Sequence, residues 1–192
     1  MSEELAKTGL DRPLGPVMVG SPVYDECLDV VAYKILYKDP DEFKRSLLRD
    51  ADPPFLDLLG EHTSVYDGSK ITSLPAYIRL PLEVASELCR SANGDEIVIE
   101  VNCGQREVEE FLPVVKNLLD QGFKVSLANY LGRNYEELLP LIASLTSVQV
   151  DVQGLKVEEI RSQILRVRND DKLMVLAENV TTTKLFDDCV GI

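Results

Sequence analysis

The sequence is poor in residues that build many catalytic sites: it has one histidine, four cysteines and no tryptophan. The single histidine, His62, excludes a metal centre made from several imidazoles. The cysteines are scattered without a Cys-x-x-Cys spacing, which predicts reduced, partly buried thiols. Residues 1–20 contain no apolar run typical of a signal peptide, so we expect a cytoplasmic protein.

Basic residues are in the minority, with 20 Lys and Arg against 33 Asp and Glu, and the formal net charge is −13. A surface this negative repels nucleic acid and anionic lipid. The chain also lacks a run of roughly 20 apolar residues, the length that spans a bilayer. We therefore expect neither nucleic acid nor a membrane as a partner, while a local basic site for a small anion stays open.

Short apolar, β-branched runs recur along the chain and predict strands. The predicted strands are Val17–Val19, Val30–Leu36, Tyr77–Leu80, Ile97–Val101, Lys124–Leu127, Val148–Val150 and Leu173–Leu176. The segments between the later strands have helical periodicity instead. The predicted helices are Arg106–Gln121, Tyr135–Ser144, Lys156–Val167 and Thr182–Cys189.

The last four predicted strands start at intervals of about 25 residues, which fits a strand, a helix and two short loops. Such βα units form a parallel sheet with right-handed crossovers. The sheet could be open and doubly wound or closed as a (β/α)₈ barrel. Neither a GxGxxG nor a GxxxxGK[ST] motif follows any strand, so the barrel is favoured over a nucleotide-binding open sheet.

Two features modify the predicted barrel. Barrels usually need about 250 residues, and this chain stops at Val190–Ile192, where we expect a further strand to begin. The first two strands are too close in sequence for a helical crossover and should pair as an antiparallel hairpin. The prediction is a TIM-like α/β barrel with an antiparallel first strand, incomplete at its C-terminal end. Residues 1–15 form a tail, and 16–192 form the barrel.

With this layout, six segments in order resemble motifs of the EAL domain, the cyclic di-GMP phosphodiesterase fold. Gly20–Asp25 and Leu28–Lys38 resemble "QPIFD…L.V.GYELLYR", and Ile97–Cys103 resembles "LVLEITE". Gly122–Tyr130 resembles "G(Y/F).(L/I)ALDDF". Further on, Val148–Asp151 resembles "VKID" and Val175–Thr181 resembles "VLAEGVE". The chain is most similar to the divergent EAL domains that precede an HDOD (modified HD-GYP) domain in bacterial signalling proteins.

Active members of that family hold two divalent ions, Mg²⁺ or Mn²⁺, at the C-terminal ends of the strands, where a metal-activated water attacks cyclic di-GMP. The resemblance places carboxylates of this site on Glu100, Asp151 and Glu178. It places Lys34 at the name-giving glutamate, a metal ligand, and Arg79 at an asparagine ligand. Two cations thus stand where the family has metal ligands.

The remaining positions of the family's site also differ. Lys38 replaces the arginine that holds a ligand phosphate, which keeps the charge but loses the bidentate fork. The other replacements are Cys103 for the second glutamate of "EITE", Ala128 and Asn129 for the paired aspartates, Gln149 for the lysine of "KID" and Thr181 for the second glutamate of "EGVE". The resemblance therefore implies a domain that holds no metal cofactor and does not hydrolyse cyclic di-GMP.

The resemblance to EAL domains leaves three possible functions. The first is a catalytically inactive regulatory scaffold that contacts protein partners, a C-terminal HDOD domain or a second copy of itself. The second is a cyclic di-GMP receptor without turnover, in which Lys34, Lys38 and Arg79 form an anion cup. The third, an active phosphodiesterase, requires Asp25, Glu26 or Glu83 to reach the barrel mouth. In the inactive scaffold, we expect Lys34, Arg79, Glu100 and Glu178 to lie at strand ends in one layer and to form ion pairs that hold the barrel mouth together.

Overall fold

The structure, a computed structural model, describes residues 18–37, 64–66, 71–87, 97–103, 106–130, 135–167 and 173–192. The strands are β1 Met18–Tyr24, β2 Val30–Tyr37, β3 Ser64–Tyr66, β4 Ile71–Ser73, β5 Ala76–Arg79, β6 Ile97–Asn102, β7 Lys124–Ala128, β8 Ser147–Asp151 and β9 Met174–Glu178. The helices are α1 Leu82–Glu87, α2 Val108–Asp120, α3 Tyr135–Ile142, α4 Val157–Val167 and α5 Thr183–Val190.

One seven-stranded sheet forms the framework, in the order β1-β2-β5-β6-β7-β8-β9. Strand β1 pairs antiparallel with β2, and every later neighbour pairs parallel. Parallel strands in this order need crossover connections, and α2, α3 and α4 supply them after β6, β7 and β8. The predicted incomplete α/β barrel with an antiparallel first strand is confirmed.

The main core lies between the convex face of the sheet and the helices. Helix α2 shows why: Val108, Phe111, Val115 and Leu118 are all buried and recur at helical spacing along one face. At the end of α2, Gly122 adopts φ 81°, a left-handed conformation that glycine tolerates best. The chain then turns directly into β7.

The concave face of the sheet has a smaller apolar cluster of its own. Ala32, Tyr77 and Val98 are buried there, and Val23 of β1 and Leu176 of β9 pack against them. The half-barrel therefore has a floor of side chains, as barrels do, rather than an open pore. Polar side chains occupy the same face nearer the carboxyl ends of the strands.

Three expectations about the elements need correction. The short hairpin of β3 and β4 and the six-residue α1 were not predicted. Val190 does not begin a strand; it ends α5, and Gly191 is the C-cap. Val17, Lys38, His62, Cys89 and residues 1–15 lie outside the described residues.

Candidate functional site

The candidate site lies at the mouth of the half-barrel and is built around Glu100. Strand β6 places this glutamate next to Arg79, which ends β5, because the two residues are paired in register. Glu100 is completely buried. A buried carboxylate is costly unless cations or donors compensate it, so its neighbours decide what the site can do.

Both carboxylate oxygens of Glu100 are satisfied. Oε2 accepts a hydrogen bond from Nε of Arg79 at 3.1 Å. Oε1 accepts one from Nε2 of Gln149 at 2.7 Å and lies 3.2 Å from Nζ of Lys34. Glu100 therefore has contacts with two cations and one amide, which together replace the water lost on burial.

Glu178, at the end of β9, is the second acidic member. Its Oε1 accepts a hydrogen bond from Nη2 of Arg79 at 2.9 Å and is also bonded to Nζ of Lys34. Its Oε2 is buried and has no hydrogen-bond partner within the part of the chain that the structure describes. Lys34 and Arg79 each contact both carboxylates, so two positive charges balance two negative charges.

The position of Lys34 differs from the expectation. It lies in the middle of β2, in register with Tyr77 and not with Arg79, so the two cations do not share a strand-end layer. The long lysine side chain, which is four-fifths shielded from solvent, nevertheless reaches the mouth with its ammonium. The four predicted members of the cluster are therefore in contact, but Lys34 reaches the other three from a position earlier along its strand than we expected.

Gln149 is a member that the sequence analysis did not assign to the cluster. It is almost fully buried in β8, where its Oε1 accepts from Nζ of Lys34 at 2.9 Å. Its Nε2 donates to Glu100 and, at 2.9 Å, to Oγ of Ser126. The signal was available: a polar residue in the middle of an apolar strand must find partners on the sheet's inner face.

Asp151 does not join the cluster. Its Oδ1 accepts the backbone N–H of Gln153 at 3.0 Å and so stabilises the turn after β8. Asp25 likewise caps its own loop, accepting the backbone N–H groups of Cys27 and Asp29. Lys38 lies outside the described residues. Within those residues, no three His, Cys, Asp or Glu side chains form a group suited to hold a metal ion.

Cys103, which follows β6, is packed and not reactive. Its Sγ lies 3.1 Å from the backbone oxygen of Ala128, and burial raises the pKa of its thiol to about 12. The thiolate is the reactive form, so this sulfur is protonated and inert at neutral pH. Nearby, Asn129 donates from Nδ2 to Oδ1 of Asn102 at 3.1 Å, an amide pair at the ends of β6 and β7.

Deeper in the half-barrel, Tyr77 supports the cluster from below. Its hydroxyl lies 3.5 Å from Oγ of Ser147, which in turn donates to Ser126 at 2.7 Å. Desolvation raises the pKa of Tyr77, and the nearby negative charge of Glu100 adds to that rise. The phenol is therefore neutral. Its hydroxyl, which can both donate and accept hydrogen bonds, lies between the apolar cluster on the concave face and the ion pairs above it.

A cavity of about 1540 Å³ opens above these residues. Its walls include the four charged members of the cluster, together with Asn102 and Arg106. It continues sideways between β1 and β9, the two edges of the sheet. Asp25 and Glu26 line its rim, whereas Glu83 is exposed on α1 and Asp151 is not part of the wall.

No protein-family model matches the sequence, and no curated protein matches it. Solved structures do match. The chain is similar to "PaMucR Phosphodiesterase, c-di-GMP complex" with a TM-score of 0.61 and 15% identity, over 91% of this chain and 85% of that one. It is similar to the EAL domain of Mycobacterium smegmatis DcpA with a TM-score of 0.55 and 17% identity, over 91% and 84%.

A third similar structure is the Klebsiella pneumoniae BlrP1 manganese/cy-diGMP complex at pH 9.0, with a TM-score of 0.61 and 17% identity. The match covers 93% of this chain but only 53% of that one. The protein thus has the fold of EAL domains, the TIM-like barrel class to which these structural neighbours belong. Within the described ranges, no helix has the length and hydropathy needed to cross a bilayer.

Proposed function

We propose that this chain is an EAL-like signalling module that regulates through protein contacts and does not hydrolyse cyclic di-GMP. The observation that carries the proposal is the position of the Lys34 ammonium. It lies among Glu100, Glu178 and Gln149, three oxygen-bearing side chains that would otherwise be the hard ligands available at the barrel mouth.

The donor set does not fit a pair of divalent cations. Two such ions bring four positive charges, and hydrolysis by the family's route needs several carboxylates that converge on them. Here the carboxylates of Glu100 and Glu178 are already neutralised by Lys34 and Arg79. A metal ion would have to displace a paired ammonium or guanidinium before it could bind, and we therefore derive no reaction step through a metal.

A cyclic di-GMP receptor without turnover is the second candidate. The large cavity and the presence of Lys34 and Arg79 in its wall favour it. The ion pairs argue against it, because a phosphate could bind Lys34 and Arg79 only if these cations left the buried carboxylate of Glu100. The expected partners of the module are accordingly proteins: an HDOD domain, another signalling protein or a second copy.

An active phosphodiesterase is the third candidate. It requires further carboxylates at the mouth, and Asp25 already accepts two backbone N–H groups of its own loop. Glu83 lies outside the cavity wall. Glu26 is exposed at the rim, and it belongs to no metal-ligating group within the described residues. None of the three residues supports this candidate.

Calorimetric titration with cyclic di-GMP, with and without Mn²⁺, tests the proposal when the same samples are assayed for linear and mononucleotide products. A regulatory scaffold gives no saturable heat and no product, while an active EAL phosphodiesterase run in parallel gives both. Saturable binding with the ligand recovered intact would establish the receptor instead. Any metal-dependent product would overturn the proposal outright.

A further inference from the structure

The turn between β1 and β2 holds a leucine in a backbone conformation that leucine rarely adopts. Leu28 has φ 65°, in the left-handed region, where a bulky L-residue crowds its own backbone. The other two non-glycine residues with positive φ in the described ranges, Asn129 and Asn179, are of a type that tolerates this region. Strain of this kind persists only where the surrounding structure enforces it, so the leucine requires an explanation.

The turn itself enforces the conformation through hydrogen bonds between residues 25 and 29. Oδ1 of Asp25 accepts the backbone N–H groups of Cys27 and Asp29 at 2.8 and 2.9 Å. The N–H of Leu28 donates to the backbone oxygen of Asp25 at 3.1 Å, and the N–H of Asp25 donates to that of Asp29 at 3.0 Å. All of these bonds use the backbone of residue 28 and not its side chain. Glycine at this position would therefore form the same turn with less strain.

Packing does not explain the leucine side chain either, because it is 61% exposed. Tyr24 and Val31, on the two sides of the turn, are exposed as well, and the pairing of Tyr24 with Val30 keeps them at the same end of the hairpin. Three of the seven large apolar side chains that are exposed in the described residues thus lie between positions 24 and 31. Single exposed apolar residues are ordinary, whereas a group of them held on a fixed turn is typical of a contact surface.

This surface is separate from the candidate site. The turn precedes β2, which runs parallel to β5, so the turn lies where the parallel strands begin, and the ion pairs lie near the carboxyl ends. Its conformation is set by bonds within residues 25–29 and does not depend on how the sheet closes. Substitutions in the turn therefore leave the ion-pair cluster unchanged.

Charge around the turn defines the partner that it fits. Glu26 and Asp29 are exposed on either side of Leu28, and the whole chain has a net charge of −13. Acidic groups repel anionic lipid, and they also repel a second copy of this acidic chain. The complementary surface is that of a basic protein.

We propose that the β1–β2 turn docks a basic partner protein, with Leu28 inserted into an apolar pocket that lysine or arginine side chains border. Tyr24 and Val31 cover the edge of that pocket, and Glu26 and Asp29 face its cations. The hydrogen-bonded turn presents the leucine in one conformation, which lowers the entropy lost on binding. This inference rests on the proposed scaffold function, for which it names the contact surface and the kind of partner.

The first test asks whether the fold needs the leucine. Leu28→Gly should raise the thermal midpoint by about 2–4 °C, because glycine relieves the left-handed strain. The matched control is Leu165→Gly, since Leu165 is 57% exposed but lies in α4. Glycine destabilises a helix interior, so this variant should have a lower midpoint than the wild type. A lower midpoint for Leu28→Gly would show that the leucine serves the fold, and would overturn the proposal.

The second test measures binding by calorimetry. The probe is a helical peptide of about 15 residues made of leucine and lysine, which presents an apolar face bordered by ammonium groups. Its control has glutamate in place of lysine. We expect saturable binding of the lysine peptide to the wild type and to Leu165→Gly, and an affinity for Leu28→Gly reduced roughly tenfold or more. The glutamate peptide should not bind. Attraction by net charge alone would be equal in all three proteins.

Equal affinity for Leu28→Gly and the wild type, or no binding to the wild type, would overturn the surface. So would a dimer in sedimentation velocity that Leu28→Gly abolishes, because the turn would then contact a second copy. Failure of the peptide without any cyclic di-GMP binding or turnover would remove this surface and leave the scaffold function intact. Turnover of cyclic di-GMP would remove the scaffold function, whereas Leu28-dependent binding of the peptide would still support the surface.

Discussion

Arg79 and Glu178 join the third strand of the sheet to the last, through a hydrogen bond of 2.9 Å between Nη2 and Oε1. The same arginine holds Glu100 through Nε. One guanidinium thus connects a fully buried carboxylate in the centre of the sheet to a carboxylate on its edge strand. The guanidinium fork lets two different nitrogens of one side chain make these contacts, whereas Lys34 contacts both carboxylates through its single Nζ.

The first prediction concerns the buried carboxylate. Glu100→Ala should lower the free energy of unfolding by about 3–5 kcal/mol, because it removes the buried acceptor shared by two cations and the amide of Gln149, and leaves one carboxylate to balance both cations. Urea unfolding followed by circular dichroism measures the change. The matched control is Glu110→Ala, since Glu110 is exposed and makes a solvent-exposed ion pair with Arg106 at 3.5 Å. Its expected cost is below about 0.5 kcal/mol, and equal costs for the two variants would contradict the cluster.

The second prediction concerns Lys34 as a substitute for a metal ion. In Lys34→Ala, the carboxylates of Glu100 and Glu178 and the carbonyl of Gln149 face the vacated space, which gives hard oxygen ligands for a cation. Mn²⁺ should therefore raise the thermal midpoint of this variant and leave that of the wild type unchanged, since ligands stabilise the state they bind. Lys116→Ala, on the exposed face of α2, is the control and should behave as wild type. A Mn²⁺ response of the wild type as large as that of the variant would contradict the idea.

The third prediction uses the cysteines. At pH 8, iodoacetamide should modify the exposed Cys27 rapidly and leave Cys103 unmodified until denaturant is added, because the pKa of Cys103 is about 12 and its sulfur is buried. Peptide mass spectrometry distinguishes the two sites. Modification of Cys103 at the rate of Cys27 in the native protein would show that the β6 end opens readily.

The raised pKa of Cys103 also has a consequence for stability. The folded-state pKa lies above the thiol's ordinary value of 9.0. The neutral buried thiol of Cys103 therefore makes its full contribution to the free energy of unfolding below about pH 9, and this contribution is lost as the pH rises toward 12. Cys103→Ala should remove this part of the alkaline loss of stability, measured as the difference in urea midpoints between pH 8 and pH 10.

The fourth prediction concerns α5. Thr182 caps this helix, since its Oγ1 accepts the backbone N–H of Leu185 at 3.1 Å. Thr182→Ala should destabilise the helix by about 0.5–2 kcal/mol. No residue of α5 is fully buried, so the effect should appear as faster amide hydrogen exchange within α5 and not as a large global change. Thr183→Ala, one residue further on, is the matched control. Equally faster amide exchange in both variants would show that the Thr182 cap does not stabilise α5.

The order of strands and helices was predictable because apolar periodicity is a local signal. The predicted helix Arg106–Gln121 contains the observed α2, and β7 begins at Lys124 as predicted. Strands β3 and β4 were missed because three-residue strands carry too little periodicity to be recognised. Helix α1 is only six residues long and was missed for the same reason.

The site was predictable only in part, because side-chain reach is not a sequence signal. The resemblance brought Lys34 and Glu178 into one site although 144 residues separate them. It also assigned Asp151 to the pocket, but a backbone N–H two residues later satisfies that carboxylate. The apolar strand around Gln149 signalled that its amide needs partners, but not which ones: its hydrogen bonds go to side chains on three other strands, a convergence that no local pattern encodes.

The sheet order has a consequence for how the chain folds. From β5 onward, each strand of the large sheet pairs with the strand that follows it in sequence, so during synthesis the sheet can grow in the direction of translation. The contacts of Lys34 and Arg79 with Glu178 are the exception, since they must wait for the last strand. Interactions that form after the folding barrier slow unfolding without affecting the folding rate. We expect these contacts to form late also when the complete chain refolds, so substitution of Glu178 should shorten the lifetime of the native state and leave the refolding rate unchanged.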